Sequence, residues 1–243
     1  MSTGEQLEKR LLKDESRYCS HGDTAHYLKK PVIFSECDGS FLYDYKGMPY
    51  LDLQMWYSAV NLGYKNKQVN NAVINQIGHL PQLASQYLHR EKIELCAKIS
   101  KQMQKSFQAK GRVHFNVGGS QAIEDSIKLI RKTTGKTQFF AFQGGYHGRT
   151  LGASEITSSY RYRKPYGHFS NRAQFIPYPY CFRCHYGKSF DSCKYYCVSQ
   201  FEKLFETEYN SVVDPKTSEC EFAAFFIESI QGTGGYIIPP PDY

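Results

Sequence analysis

Three glycine-rich turns hold the residues whose types and spacing could do chemistry: VGGSQA at 117–122, QGGYHGRT at 143–150 and ESIQGTGG at 228–235. Each follows a short apolar run, as expected where a strand ends and backbone must come close to a ligand. None fits the phosphate loop GxxxxGK[ST] or the dinucleotide fingerprint GxGxxG. Gly118-Gly119-Ser120 opens directly into a helical pattern. Free N–H groups, the positive end of a helix dipole and a hydroxyl meet there, which suits a phosphate monoester and equally a plain serine N-cap. Tyr146, after two glycines, could stack on a planar heteroaromatic ring or simply pack. His147 reads as its neighbour at a ligand or as a loop histidine. Arg149 could clamp a carboxylate or sit in a surface ion pair. Glu228 ends an apolar run, so its charge needs water, a partner or a ligand.

A second cluster is made of cysteines. Cys181, Cys184, Cys193 and Cys197 stand at C-x2-C-x8-C-x3-C, four of the eight cysteines in the chain. Four thiolates at that spacing suit zinc or an iron–sulfur cluster; packing of small thiols in an irregular insertion would look the same.

The elements that must position these residues can be read from periodicity. Val32, Phe34, Phe41, Tyr43 and Tyr45 alternate around Asp38-Gly39 and Lys46-Gly47, which predicts short strands between Pro31 and Leu53. Val69, Ala72, Val73, Gln76 and Ile77 predict a helix after Asn66, and Ile93, Cys96, Ile99 and Met103 a second from Arg90 to about 104. Residues 1–30 are polar and read as a peripheral segment, frayed at its start. Beyond residue 110 the pattern alternates: strand at Val113–Val117, helix up to Gly135, strands at Gln138–Phe142 and Arg172–Ile176, a helix around Val198–Phe205, and a continuous apolar strand at Phe222–Ile227. That alternation predicts an α/β domain with a largely parallel sheet.

Composition bounds the rest. At 243 residues with 41% hydrophobic and 15% aromatic residues the chain can bury a sizeable core. Thirty basic and 23 acidic residues leave +7, a balance that favours anionic ligands. The basic residues are scattered rather than striped, so no nucleic-acid partner is expected. No apolar run suits a signal peptide or a membrane span, which predicts a cytoplasmic protein with no membrane partner and reduced cysteines.

FNVGGSQAIEDSIKLIR, FFAFQGGYHGRTLGASEITSSYRYR and FFIESIQGTGGYIIPPPDY together resemble the class III, pyridoxal-phosphate-dependent aminotransferases of fold type I. LDLQMWYSAVNLGY is similar to the segment lining the substrate pocket in their ω-amino-acid branch. The resemblance implies an α/β fold type I architecture: strands of the small domain within 1–60, part of the large cofactor-binding domain over 61–243, and a cysteine-rich insertion at about 178–198. It implies pyridoxal 5'-phosphate as cofactor. Gly119 and Ser120 would bind its phosphate, Tyr146 would stack on the pyridine ring beside His147, and Glu228 would lie near that ring. Arg149 would bind substrate carboxylate and Trp56 would line the substrate pocket. Some 4-aminobutyrate aminotransferases hold an iron–sulfur cluster on a comparable short cysteine pair.

The implied reaction moves an amino group from an amino acid or ω-amine to a keto acid in a homodimer, with a racemase or decarboxylase of the same family, or a non-catalytic remnant, as alternatives. Thr233 stands where many members carry glutamate, and Gly118-Gly119-Ser120-Gln121 where Ser-Gly-Thr/Ser-Glu is commoner. The family's Schiff-base lysine and ring-nitrogen aspartate are expected beyond Tyr243. No catalytic residue is therefore assigned within the chain, which is expected to be a fragment, inactive alone.

Overall fold

The computed structural model describes residues 3–20, 31–163, 166, 169, 172–207, 209 and 211–243. The chain divides into two compact units, Met1–Ile99 and Ser100–Tyr243.

The first unit opens with helix α1 (Thr3–Tyr18), where sequence reading expected only a polar peripheral segment. Its leucines recur at helical spacing within a charged run, a weak signal that the polar composition masked. Strands β1 (Phe34–Asp38), β2 (Phe41–Asp44) and β3 (Pro49–Leu51) form an antiparallel meander in the expected place. Gly39, at φ 53, allows the tight reversal between β1 and β2. A short helical turn, α2 (Met55–Ser58), is left-handed throughout, with φ between 47 and 65 at all four residues. Such a conformation costs about 1–2 kcal/mol per non-glycine residue. Asp52 anchors its entry: its carboxylate accepts from Gln54 N at 2.9 Å, Met55 N at 3.1 Å and Tyr64 Oη at 2.7 Å. Helix α3 (Lys67–His79) begins where Asn66 accepts from the N–H groups of Gln68 and Val69. Helix α4 (Arg90–Phe107) follows and runs across the division between the units.

In the second unit, residues 113–117 do not form the expected strand. A strand needs a ladder partner, and among the described residues none pairs with this segment. It is held instead by the side chains of Ser100, bonded to Gly111 O at 2.6 Å, and of His114, 3.0 Å from Asp125 Oδ2. Helix α5 (Gly119–Thr134) then begins at the glycine turn. It stops at Gly135, left-handed at φ 71, with Arg131 and Lys132 facing the negative helix end.

Strand β4 (Gln138–Phe142) is central, followed by helices α6 (Leu151–Glu155) and α7 (Tyr160–Arg163), then strand β5 (Ala173–Ile176). Helices α8 (Phe190–Cys193) and α9 (Tyr196–Glu206) precede strand β6 (Phe222–Phe226). The sheet order is β5-β4-β6 and both pairings are parallel, as the alternating pattern predicts. The two-residue period of β4 builds two cores. Phe139 and Ala141 pack with Ile127 and Ile156 on one face; Phe140 and Phe142 pack with Ile176, Tyr178, Val212 and Ile237 on the other. Phe140 lies stacked on Phe222 at 3.8 Å and edge-on to Phe201 at 5.0 Å. Each such ring removed from water contributes roughly 1.5–3 kcal/mol. A strand covered on both faces fixes the position of its carboxyl end, and QGGYHGRT begins there. No helix among the described residues is long and apolar enough to cross a membrane.

Candidate functional site

The 143–150 turn leaves the end of β4 and touches both other glycine turns. Toward the β6 end, the Glu228 carboxylate accepts from Tyr146 N at 2.8 Å and from Gly232 N at 3.0 Å, holding two turns with one side chain. Gln231, buried to 1% exposure, donates its amide to Gln143 O at 2.8 Å. Its backbone pairs both ways with Ile237. Its amide oxygen lies so close to Gly144 and Gly234 that a Cβ on either would collide with it. Tyr178 Oη donates to the carbonyls of Glu228 at 3.2 Å and Ser229 at 3.1 Å, which fixes the strand end.

At the other end of the middle turn stands Ser120, whose Oγ accepts from Arg149 N at 3.3 Å. A Cβ at Gly148 (φ 136) would run into Ser120 Oγ and come within 3.0 Å of Ala153 Cβ. Glu124, one turn further along α5, accepts from Gly152 N at 2.8 Å and Ala153 N at 3.2 Å, so α5 also holds the start of α6. Thr157, fully buried, accepts from His147 N at 3.0 Å and donates toward the carbonyls of Gly148 and Ala153. Ser158 Oγ accepts from Gly144 N. His147 is largely buried, and that burial pushes its imidazole below the ordinary value of 6.5, while the Glu228 charge pulls it partly back. The ring is therefore neutral near pH 7. It lies edge-on to Phe226 at 5.9 Å.

The residues present fit a phosphorylated planar group. Gly118 precedes α5 in an extended conformation (φ −177) and has no side chain with which to satisfy the helix's first N–H groups. A Cβ at Gly118 would approach Gln121 Oε1 to 2.8 Å, whereas one at Gly119 would meet nothing within 4 Å, leaving open space at the helix start. Ser120, Tyr146, His147, Arg149 and Glu228 thus belong to one connected set of turns. Trp56 lies in the first unit, in the left-handed α2 turn, on a cavity of about 520 Å³ shared with Phe34, Tyr50, Asp52 and Tyr64.

A family model matches most of the chain. The model described as aminotransferase class-III matches residues 24–243. The chain belongs to the class III aminotransferase family. A leucine/methionine racemase of Thermococcus litoralis is 30% identical over 88% of the chain and 46% of its own length. An acetylornithine aminotransferase of Methanothermobacter thermautotrophicus is 26% identical over 89% of the chain and 47% of its own. The solved taurine:2-oxoglutarate aminotransferase of Bifidobacterium kashiwanohense, in complex with PLP and glutamate, superposes with a TM-score of 0.78 at 23% identity, covering 99% of this chain and 51% of that one. That likeness establishes the fold, type I α/β. The chain spans about half the length of the curated relatives it matches.

The metal expectation is corrected. Cys181, Cys184, Cys193 and Cys197 line one cavity, but among the described residues no group of three or more His, Cys, Asp or Glu side chains is disposed to hold a metal ion. Zinc and iron–sulfur ligation are therefore not carried further. Glu124, Thr157, Ser158, Tyr178 and Gln231 were missed by sequence reading. They act by holding backbone; Gln231 lay within a glycine-rich turn, and Glu124, Thr157 and Ser158 within the longer segments that carry the family resemblance, with nothing in the sequence to single them out.

Proposed function

We propose that this chain carries the phosphate- and ring-binding part of a pyridoxal 5'-phosphate site, in an enzyme that moves an amino group from an amino acid or ω-amine to a keto acid. The supporting observation is the 143–150 turn, which bonds to Ser120 at one end and to Glu228 at the other. Bound there, the cofactor supplies an electron-accepting pyridine ring, which no side chain can. The α5 N–H groups, Gly119 and the Ser120 hydroxyl hold the phosphate. Tyr146 covers the ring face, and the neutral imidazole of His147 lies beside it without adding charge. Glu228 fixes the backbone that carries Tyr146. Arg149, exposed at the turn's end, receives the substrate carboxylate, and a second copy of the chain completes a homodimeric site.

Titrating the protein with pyridoxal 5'-phosphate, and following tyrosine and tryptophan fluorescence, tests the site. Saturable binding of one cofactor per chain is expected, competed by inorganic phosphate and weakened about tenfold, or 1.4 kcal/mol, by Ser120→Ala. Binding indifferent to Ser120→Ala and Tyr146→Ala would refute it. The similarity to a racemase favours a second reading, stereochemical inversion of an amino acid. Formation of the pyridoxamine form that depends on the amino donor, and its return to the aldehyde form on adding a keto acid, supports transfer; loss of optical activity without a keto acid supports inversion.

A further inference from the structure

Helix α6 is capped from outside its own sequence. Thr150 stands at its N-cap position in extended conformation, at φ −69 and ψ 164, yet its side chain caps nothing. A threonine there ordinarily accepts from the second or third N–H of the helix, which here belong to Gly152 and Ala153. Both N–H groups go instead to one oxygen, Oε1 of Glu124, at 2.8 and 3.2 Å. The Thr150 hydroxyl is left buried, with no hydrogen-bond partner among the described residues. A carboxylate makes the stronger, charge-assisted bonds, so it wins the two donors at the expense of that hydroxyl. Gly152 lets it in, since a Cβ there would collide with the Glu124 carboxylate.

In the cofactor site proposed above, on which this rests, we infer that Glu124 is a positioning residue for carboxylate recognition by Arg149. Ser120 and Glu124 lie one helical turn apart on one side of α5. Ser120 Oγ takes Arg149 N at 3.3 Å and Glu124 takes the start of α6, so residues 149–153 are pinned to α5 at two points, with Arg149 at one end. One point would leave the segment free to turn about it; two fix its direction. The backbone that carries the guanidinium is thereby aligned with the end of α5 that takes the phosphate, and a substrate carboxylate meets it in a set geometry. Without Glu124, Thr150 takes the two donors itself. The helix then keeps a cap, but the segment keeps only its tie to Ser120. Stability and recognition therefore part company at this residue.

Fluorescence titration of the full chain compares pyridoxamine 5'-phosphate with N-(5'-phosphopyridoxyl)-L-alanine, a stable adduct that adds a substrate carboxylate. The unaltered chain should prefer the adduct about tenfold, as a charged hydrogen bond allows. Glu124→Ala, and Glu124→Asp with its shorter side chain, should remove most of that preference and leave pyridoxamine 5'-phosphate binding as it was. Glu124→Gln, which keeps Oε1, should restore the preference. A preference untouched by the Ala and Asp variants would overturn the assignment, as would equal loss of both ligands or an unaltered chain that binds both equally. An unaltered chain that binds neither refutes the cofactor reading itself. The cap exchange is read without any cofactor, by urea unfolding of Thr150→Val in two backgrounds. In the unaltered chain the change removes a buried hydroxyl without a partner and should raise the midpoint; in Glu124→Ala it removes the substitute cap and should lower it. Shifts of the same sign would overturn the exchange, and Glu124→Asp supplies the second background where Glu124→Ala does not fold.

Discussion

Glu228 and His147 show how single side chains set this region. Glu228 satisfies two backbone donors from turns far apart in sequence, at 2.8 and 3.0 Å. Its removal leaves both N–H groups without an acceptor, which costs about 1–3 kcal/mol. Glu228→Ala should therefore lower the unfolding free energy by that amount in a urea melt, and weaken cofactor binding, while Glu228→Gln, which keeps an acceptor oxygen, should recover part of both. His147 gives a pH dependence. Its folded pKa lies below its unfolded value of 6.5, so the unfolded chain binds more protons as pH falls through that value. The stability contribution is complete above about pH 6.5 and is lost on acidification. Melting temperatures measured from pH 5 to 7.5 should fall more steeply toward acid for the unaltered protein than for His147→Gln. Equal slopes would mean the imidazole is not held neutral by burial.

Among the elements, α5 does two jobs with one face. Ser120 bonds the 143–150 turn at Arg149 N, and Glu124, one helical turn later, bonds the start of α6. The spacing places both side chains on the same side of the helix. Gly148 is the matching surface: its φ of 136 suits glycine, and any Cβ would strike Ser120. Gly148→Ala should cost about 1–3 kcal/mol from backbone strain and push Ser120 out of place. Thermal denaturation with cofactor titration separates this from a surface effect, because a surface change would leave the affinity alone. Helix α5 itself was legible from the glycines at both ends and its apolar period. Its bonds to the turn were not, since Ser120 and Arg149 are 29 positions apart and no local pattern links them. The expected strand at Val113–Val117 was misread because an apolar run signals burial, and a strand also needs a neighbour to bond with.

For the molecule as a whole, the sheet leaves β5 and β6 each paired on one side only among the described residues. Large apolar side chains also stand in the open, Val117 at 95% exposure and Leu88 at 85%. Open strand edges and exposed apolar surface favour association. Sedimentation velocity over a range of concentrations should show self-association of this chain; a monomer unchanged by concentration would contradict that expectation.

The sequence by itself determined the local pieces: helices α3, α4, α5 and α9, the short strands between Pro31 and Leu53, the parallel strands and the three glycine turns. Period, capping residues and glycine depend on neighbours a few positions away. The tertiary structure alone decided which turns touch. Sharing of the Glu228 carboxylate between two turns, burial of Gln231 against Gly144 and Gly234, and the gathering of four thiols on one cavity all depend on strand order and packing. Contacts across dozens of residues leave no periodic trace in the chain, because their energy comes from groups that meet only after the sheet has formed.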